Sequence, residues 1–186
     1  MAPSTLIIIS GPSCSGKSTL AKKIVEKFPL PYIAKDGIKE ILFDKISWSN
    51  RAWSQKLGGA SFAIMHYLME TLLSTGTSFI IEANFKAEFA TAEFKALQDK
   101  YHYIAIQIMC QCQGDILFKR FQDRAESGLR HPGHCDTTNY EELKPILLKG
   151  KADPLKIDGE ILTFDTTDLT TLNYDGLLQK LAIFLA

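Results

Sequence analysis

The chain has 186 residues, of which 46% are hydrophobic and 23% charged, the balance of a globular protein able to bury one sizeable core. Lysine plus arginine and aspartate plus glutamate each number 21, so the formal net charge is zero, which weighs against partners held by a nucleic-acid phosphate backbone. The longest apolar runs are a few residues, against the roughly 20 that span a bilayer, and the N-terminus reads as no secretory signal. The four cysteines, Cys14, Cys110, Cys112 and Cys135, are therefore expected as reduced thiols in a cytoplasmic protein.

Strand-like and helix-like segments alternate along the chain, with no repeat or low-complexity linker to divide it. Thr5–Ser10, "TLIIIS", reads as a strand buried on both faces. A helix is expected from Lys17 to about Phe28, ended by Pro29, then a strand over "PYIAKD" that ends at Asp36. A short helix over "GIKEILFDKI" leads into an aromatic connector, "SWSNRAW", and a helix from about Ser61 to Ser74. "SFIIEAN", "YIAIQIM" and "EILTFDTT" are the third, fourth and fifth strands. Helices are expected near 88–100, 115–127, 140–149 and 174–185. The expected fold is an α/β doubly wound sheet of five parallel strands with helices on both faces, residues 1–186 forming a single domain with ligands at the strands' C-terminal ends.

"GPSCSGKS", Gly11 to Ser18, satisfies G-x-x-x-x-G-K-[ST] between a strand and a helix, the context that a phosphate loop requires. Small residues let the backbone of Gly11, Pro12, Ser13, Cys14, Ser15 and Gly16 wrap a polyphosphate, with N–H groups at a helix N-terminus pointing at it. Lys17 then reaches the β- and γ-phosphates, Ser18 ligates Mg²⁺, and Thr19 is a further contact candidate. A Ras-type switch would carry D-x-x-G and N-K-x-D after later strands, where this chain has "EANF" and "IMCQCQG".

Asp36, at the crevice end of the second strand, can accept a proton from an acceptor hydroxyl. With the phosphate loop and "YIAKDGIKEILFD" the chain resembles the P-loop kinases typified by chloramphenicol phosphotransferase, the zeta toxins, gluconate kinase and the kinase domain of polynucleotide kinase. In that group a strand-two aspartate activates the acceptor hydroxyl, which the resemblance assigns to Asp36. Glu82 stands where most P-loop proteins have an aspartate; it can hold a magnesium-bound water, and Asn84 can bond an acceptor. Arg120 and Arg124 share a helix face, and Arg130 follows in "SGLRHPGH". Kinases of this kind close arginines over the transferring group, so 125–140 is expected to be a short lid. Here Arg124 and Arg130 are the catalytic candidates, and Arg120 is assigned to the nucleotide. His131, His134 and Cys135 lack a second ligand pair with zinc spacing, and a lid histidine touching nucleotide or acceptor is the better reading. Thr166 and Thr167 are candidates for base contact.

Trp48, Arg51 and Trp53 are expected to line an acceptor site by stacking and ion pairing. The resulting expectation is an ATP- and Mg²⁺-dependent phosphotransferase acting on a small-molecule hydroxyl, in a nucleoside, sugar, antibiotic or sugar nucleotide. An ATP-binding regulatory or toxin-like protein and a polynucleotide 5′-hydroxyl kinase are the alternatives.

Overall fold

Thr5–Ser10 forms β1, every residue of it buried. Strand residues alternate sides, so Leu6 and Ile8 enter one apolar layer while Ile7 and Ile9 enter the other. All four are fully buried, and each contributes about 1.5–3 kcal/mol relative to exposure. This computed structural model describes residues 3–185.

The remaining strands are β2 (Tyr32–Ala34), β3 (Phe79–Glu82), β4 (Ile104–Gln111) and β5 (Glu160–Asp165). They form one all-parallel sheet in the order β2-β3-β1-β4-β5. The helices are α1 (Lys17–Lys27), α2 (Lys35–Ile46), α3 (Arg51–Ser74), α4 (Ala87–Tyr101), α5 (Gly114–Glu126), α6 (Tyr140–Leu147) and α7 (Tyr174–Leu185). Met65, Met69 and Leu73 of α3 and Phe94 and Leu97 of α4 cover one face. Leu20 and Ile24 of α1 and Leu177 and Leu181 of α7 cover the other. The expected doubly wound α/β fold is the observed one.

Two boundaries differ from expectation in ways that bear on the site. The second strand ends at Ala34 and α2 begins at Lys35, so Asp36 sits in the first turn of a helix rather than at a strand end. The aromatic connector is also shorter. Asn50 accepts a hydrogen bond from Trp53 N at 3.0 Å as an N-cap, and α3 starts at Arg51, ten residues before the expected Ser61. Gly58 and Gly59 lie inside that helix.

Buried in the middle of β4, Gln107 accepts from Leu155 N at 2.8 Å and donates to Leu155 O at 3.0 Å. The strap before β5 is thereby tied to the sheet, with both amide groups satisfied. No helix among the described residues is long and apolar enough to cross a membrane.

Candidate active site

The loop after β1 takes its shape from positions that reject side chains. A Cβ on Gly11, at φ +147°, would stand 2.3 Å from the Cys110 carbonyl oxygen. Gly16, at φ +82°, would meet Thr166 Cγ2 at 3.1 Å. Cys14 also has positive φ, at 65°. The loop opens α1 and so brings backbone N–H groups to the helix N-terminus, the arrangement that attracts anions. Lys17 is buried and its Nζ donates to Pro12 O at 2.7 Å. Burial lowers its pKa while Glu82 opposes the shift. Burial pushes the Cys14 thiol up, against the pull of Arg124 and Lys17, so it stays protonated.

Beneath the loop, Glu82 gathers two hydroxyls. Ser18 Oγ donates to its Oε2 at 2.9 Å and Tyr32 Oη to the same oxygen at 2.8 Å. Tyr32, absent from the sequence expectations, is held protonated first by burial and then by Glu82. A serine hydroxyl beside a carboxylate is an all-oxygen set of the kind a hard cation takes. Tyr32→Phe removes a bond that orients Glu82 without touching the phosphate loop. The expected result is a Mg²⁺ requirement raised about tenfold or more, read as the Mg²⁺ midpoint of nucleotide-dependent thermal stabilisation. An unchanged midpoint would mean that Glu82 needs no such support.

The third part of the site is a knot of charges around Arg130. Its Nη2 donates to Asp36 Oδ2 at 2.7 Å and to His134 Nδ1 at 3.1 Å, and its Nη1 donates to Glu40 Oε1 at 3.2 Å. Asp136 lies 3.5 Å from Arg130 Nε and 3.2 Å from Arg124 Nη2. The Nε–H groups of Arg124 and Arg130 are buried without a hydrogen-bond partner among the described residues. Burial pushes the Asp36 carboxyl up, but Lys35, 3.1 Å away, and Arg130 outweigh it and hold the carboxyl well below the usual range. Burial and then Arg130 push His134 down to about 2. Because Arg130 can only donate, His134 Nδ1 accepts and its Nε2–H donates to Glu40 Oε1 at 2.9 Å. His131 stacks on Phe43, with ring centroids 4.9 Å apart, and bonds Asp44 at 3.2 Å. Gly133 fits against the same Phe43, where a Cβ would fall 2.7 Å from the ring.

One cavity of about 440 Å³ joins these parts. The structure brings Ser13, Cys14, Gly16, Lys17, Ser18, Thr19, Asp36, Arg51, Glu82, Asn84, Arg120, Arg124 and Arg130 to its wall. Gly11, Pro12 and Ser15 shape the loop from behind. Trp48 and Trp53 do not line the cavity: Trp48 packs edge-on to His131, and Trp53 donates from Nε1 to Ser47 O at 3.0 Å. The tryptophans therefore belong to the α2–α3 junction, and the expected aromatic platform is corrected to a polar wall. Arg51 does reach the wall, where it pairs with Glu142. Thr166 is fully buried under the phosphate loop, its hydroxyl 3.3 Å from Ser15 O, which corrects the expected base contact to a buttress. Thr167 accepts from Gln113 N at 2.9 Å and also stays off the wall. Lys35, Lys39, Ala83, His134, Asp136 and Leu143 complete the lining; of these only His134 figured in the sequence reading.

Residues 6–144 match the family described as AAA domain. Among solved structures, a candidate kinase from Chloroflexus aurantiacus J-10-fl is 33% identical with a TM-score of 0.89, covering 98% of each chain. A sugar kinase from Janibacter sp. HTCC2649 is 13% identical with a TM-score of 0.56, covering 98% of this chain and 94% of its own. A gluconokinase from Sinorhizobium meliloti 1021 is 14% identical with a TM-score of 0.52, covering 98% and 95%. The last two share the fold. No curated protein matches the chain.

Proposed function

Since the chain belongs to the AAA domain family and is a small P-loop kinase-like protein, we propose that it is an ATP- and Mg²⁺-dependent kinase that phosphorylates a hydroxyl of a small molecule. The observation that carries this reading is a single cavity lined at one end by the phosphate loop and at the other by Asp36 and Arg130. A phosphoryl transfer uses both ends of such a cavity, whereas nucleotide binding alone has no use for the second.

In this reading the loop N–H groups and Lys17 hold the β- and γ-phosphates, with Lys17 exchanging the Pro12 carbonyl for phosphate oxygen. Ser18 and Glu82 are the residues that would hold Mg²⁺, directly or through water. When bound, the ion neutralises charge between the β- and γ-phosphates. Arg120 serves the nucleotide. Arg124 and Arg130, whose Nε–H groups make no hydrogen bond among the described residues, turn toward the transferring group.

The acceptor hydroxyl donates a hydrogen bond to Asp36 and its oxygen attacks the γ-phosphorus. The bond to the β–γ bridging oxygen breaks, ADP leaves with that electron pair, and the hydroxyl proton passes to Asp36 and on to water. A carboxylate held below its usual pKa is a weak base. It orients the hydroxyl early and takes the proton late, which a loose phosphoryl transition state permits.

The whole chain acts as one kinase-like domain in this proposal, with 125–140 as its lid and a cytoplasmic location that suits four free cysteines. The test is phosphoryl transfer from γ-labelled ATP to a broad panel of hydroxyl compounds, with and without Mg²⁺. A labelled, Mg²⁺-dependent product is expected. Tight ATP binding with label released only to water would overturn the reading in favour of a nucleotide-binding regulator.

A further inference from the structure

The cations around the cavity are nearly all spoken for. Lys35 is 3.1 Å from Asp36, Arg51 pairs with Glu142, Arg124 with Asp136, and Arg130 with Asp36 and Glu40. Lys17 and Arg120 lie on the nucleotide side. Lys39 remains. It is 5% exposed, and among the described residues no carboxylate oxygen lies within salt-bridge distance of its Nζ. Its one hydrogen bond goes to the fully buried Ser54 Oγ at 2.8 Å.

The neighbouring helix makes room for this ammonium. Ser54 and Gly58 lie four residues apart, and so on one face of α3; a Cβ at Gly58 would sit 3.8 Å from Lys39 Nζ. The Phe43 ring closes one side, with Nζ 5.2 Å from its centroid. Burying an ammonium against a serine and an aromatic ring is unfavourable unless an anion joins it. A methionine would fill the same space at lower cost, so packing alone does not explain a lysine here.

We propose that Lys39, with Ser54 beside it, is the anion subsite of the acceptor pocket, so that the acceptor carries a carboxylate or phosphate group as well as the hydroxyl presented to Asp36. Lys39 and Asp36 are three residues apart on α2 and share a face, which sets the two groups about one helical turn apart. This rests on the kinase reading above for the word acceptor; the anion site itself does not need turnover. The titratable and charged groups facing Lys39 are Lys35 and Asp36 from α2, Arg51 from α3, and Arg130 and His134 from the segment before α6. Burial, with Lys35 next, brings the Lys39 ammonium down to about 8, and Asp36 resists the shift. An anion docked on it pulls the proton back.

The experiment measures binding of inorganic phosphate and of acetate to the protein saturated with AMP-PNP and Mg²⁺, by calorimetry at constant ionic strength. Filling the phosphate loop beforehand restricts the probe to other sites. At least one anion is expected to bind, with affinity about 10- to 100-fold weaker in Lys39→Met, as for loss of a charged hydrogen bond, and largely restored in Lys39→Arg. The tighter of the two probes identifies the group as phosphate or carboxylate. Acetate binding to the wild-type protein, which needs no variant to fold, is expected to weaken as pH rises through about 8, because the ammonium then loses its proton. The proposal is overturned if neither anion binds, if binding survives Lys39→Met, or if Lys39→Met weakens AMP-PNP to the same degree. Anion binding through Lys39 without any phosphorylated product would leave the subsite standing and remove the kinase reading.

Discussion

Asparagine at position 36 is expected to lower phosphoryl transfer about a thousandfold, within the range for loss of a positioned general base, and to leave ATP affinity within about twofold. The amide keeps the shape of the carboxylate but can neither accept a proton nor hold the acceptor hydroxyl as a charged acceptor. The substitution does not dismantle the neighbourhood, because Arg130 retains Glu40 at 3.2 Å and Asp136 at 3.5 Å. Single-turnover transfer to the acceptor found by the panel, together with calorimetry of ATP, separates the two quantities. Wild-type turnover in Asp36→Asn would remove Asp36 from the chemistry.

Arg130→Ala is expected to cost a thousandfold or more in turnover, the scale on which arginines act on a transferring phosphoryl group. A second effect comes from the fold. Without the guanidinium, Asp36, Glu40 and Asp136 lose their common cation, and the segment from Ser127 to Asn139 keeps only the contacts of His131 and His134 with α2. Faster tryptic cleavage within that segment is expected alongside the lost activity. Lysine at 130 is expected to rescue little, because its donors radiate from one nitrogen and cannot reproduce the planar fork that reaches Glu40 from Nη1 and Asp36 from Nη2. Because Arg130 Nη2 donates to Asp36 Oδ2 at 2.7 Å, the double variant is expected to be little worse than either single one. Full additivity in turnover would show that they work independently.

The phosphate loop was legible because its residues are contiguous and their chemistry is read from a single stretch. Asp36 was legible as a residue but not as a position: Ala34 caps α2 without a side-chain bond, so nothing local announced that the strand had ended. The start of α3 was hidden by Gly58 and Gly59, both poor helix formers; Gly58 stands beside Lys39 of α2, whereas Gly59 faces open space. Trp48 and Trp53 drew attention as large rings beside an arginine, but Trp48 sits edge-on to His131 and Trp53 hydrogen-bonds back to Ser47. Lys39 and Tyr32 left no local signal. A lysine in an amphipathic helix reads as solvated until the facing helix is known, and Tyr32 finds Glu82 only because β2 lies beside β3.

Thr166 carries a consequence for how the molecule comes into being. Its hydroxyl meets the carbonyl of Ser15 across 151 positions of chain, and Gly16 rests against its methyl group. The phosphate loop is translated among the first residues but lacks its floor until β5 has joined the sheet. Domains generally mature as units during synthesis, so nascent chains that stop before Thr166 hold an unsupported loop. The ability to retain a nucleotide therefore arrives late, and it reports that the whole sheet has closed.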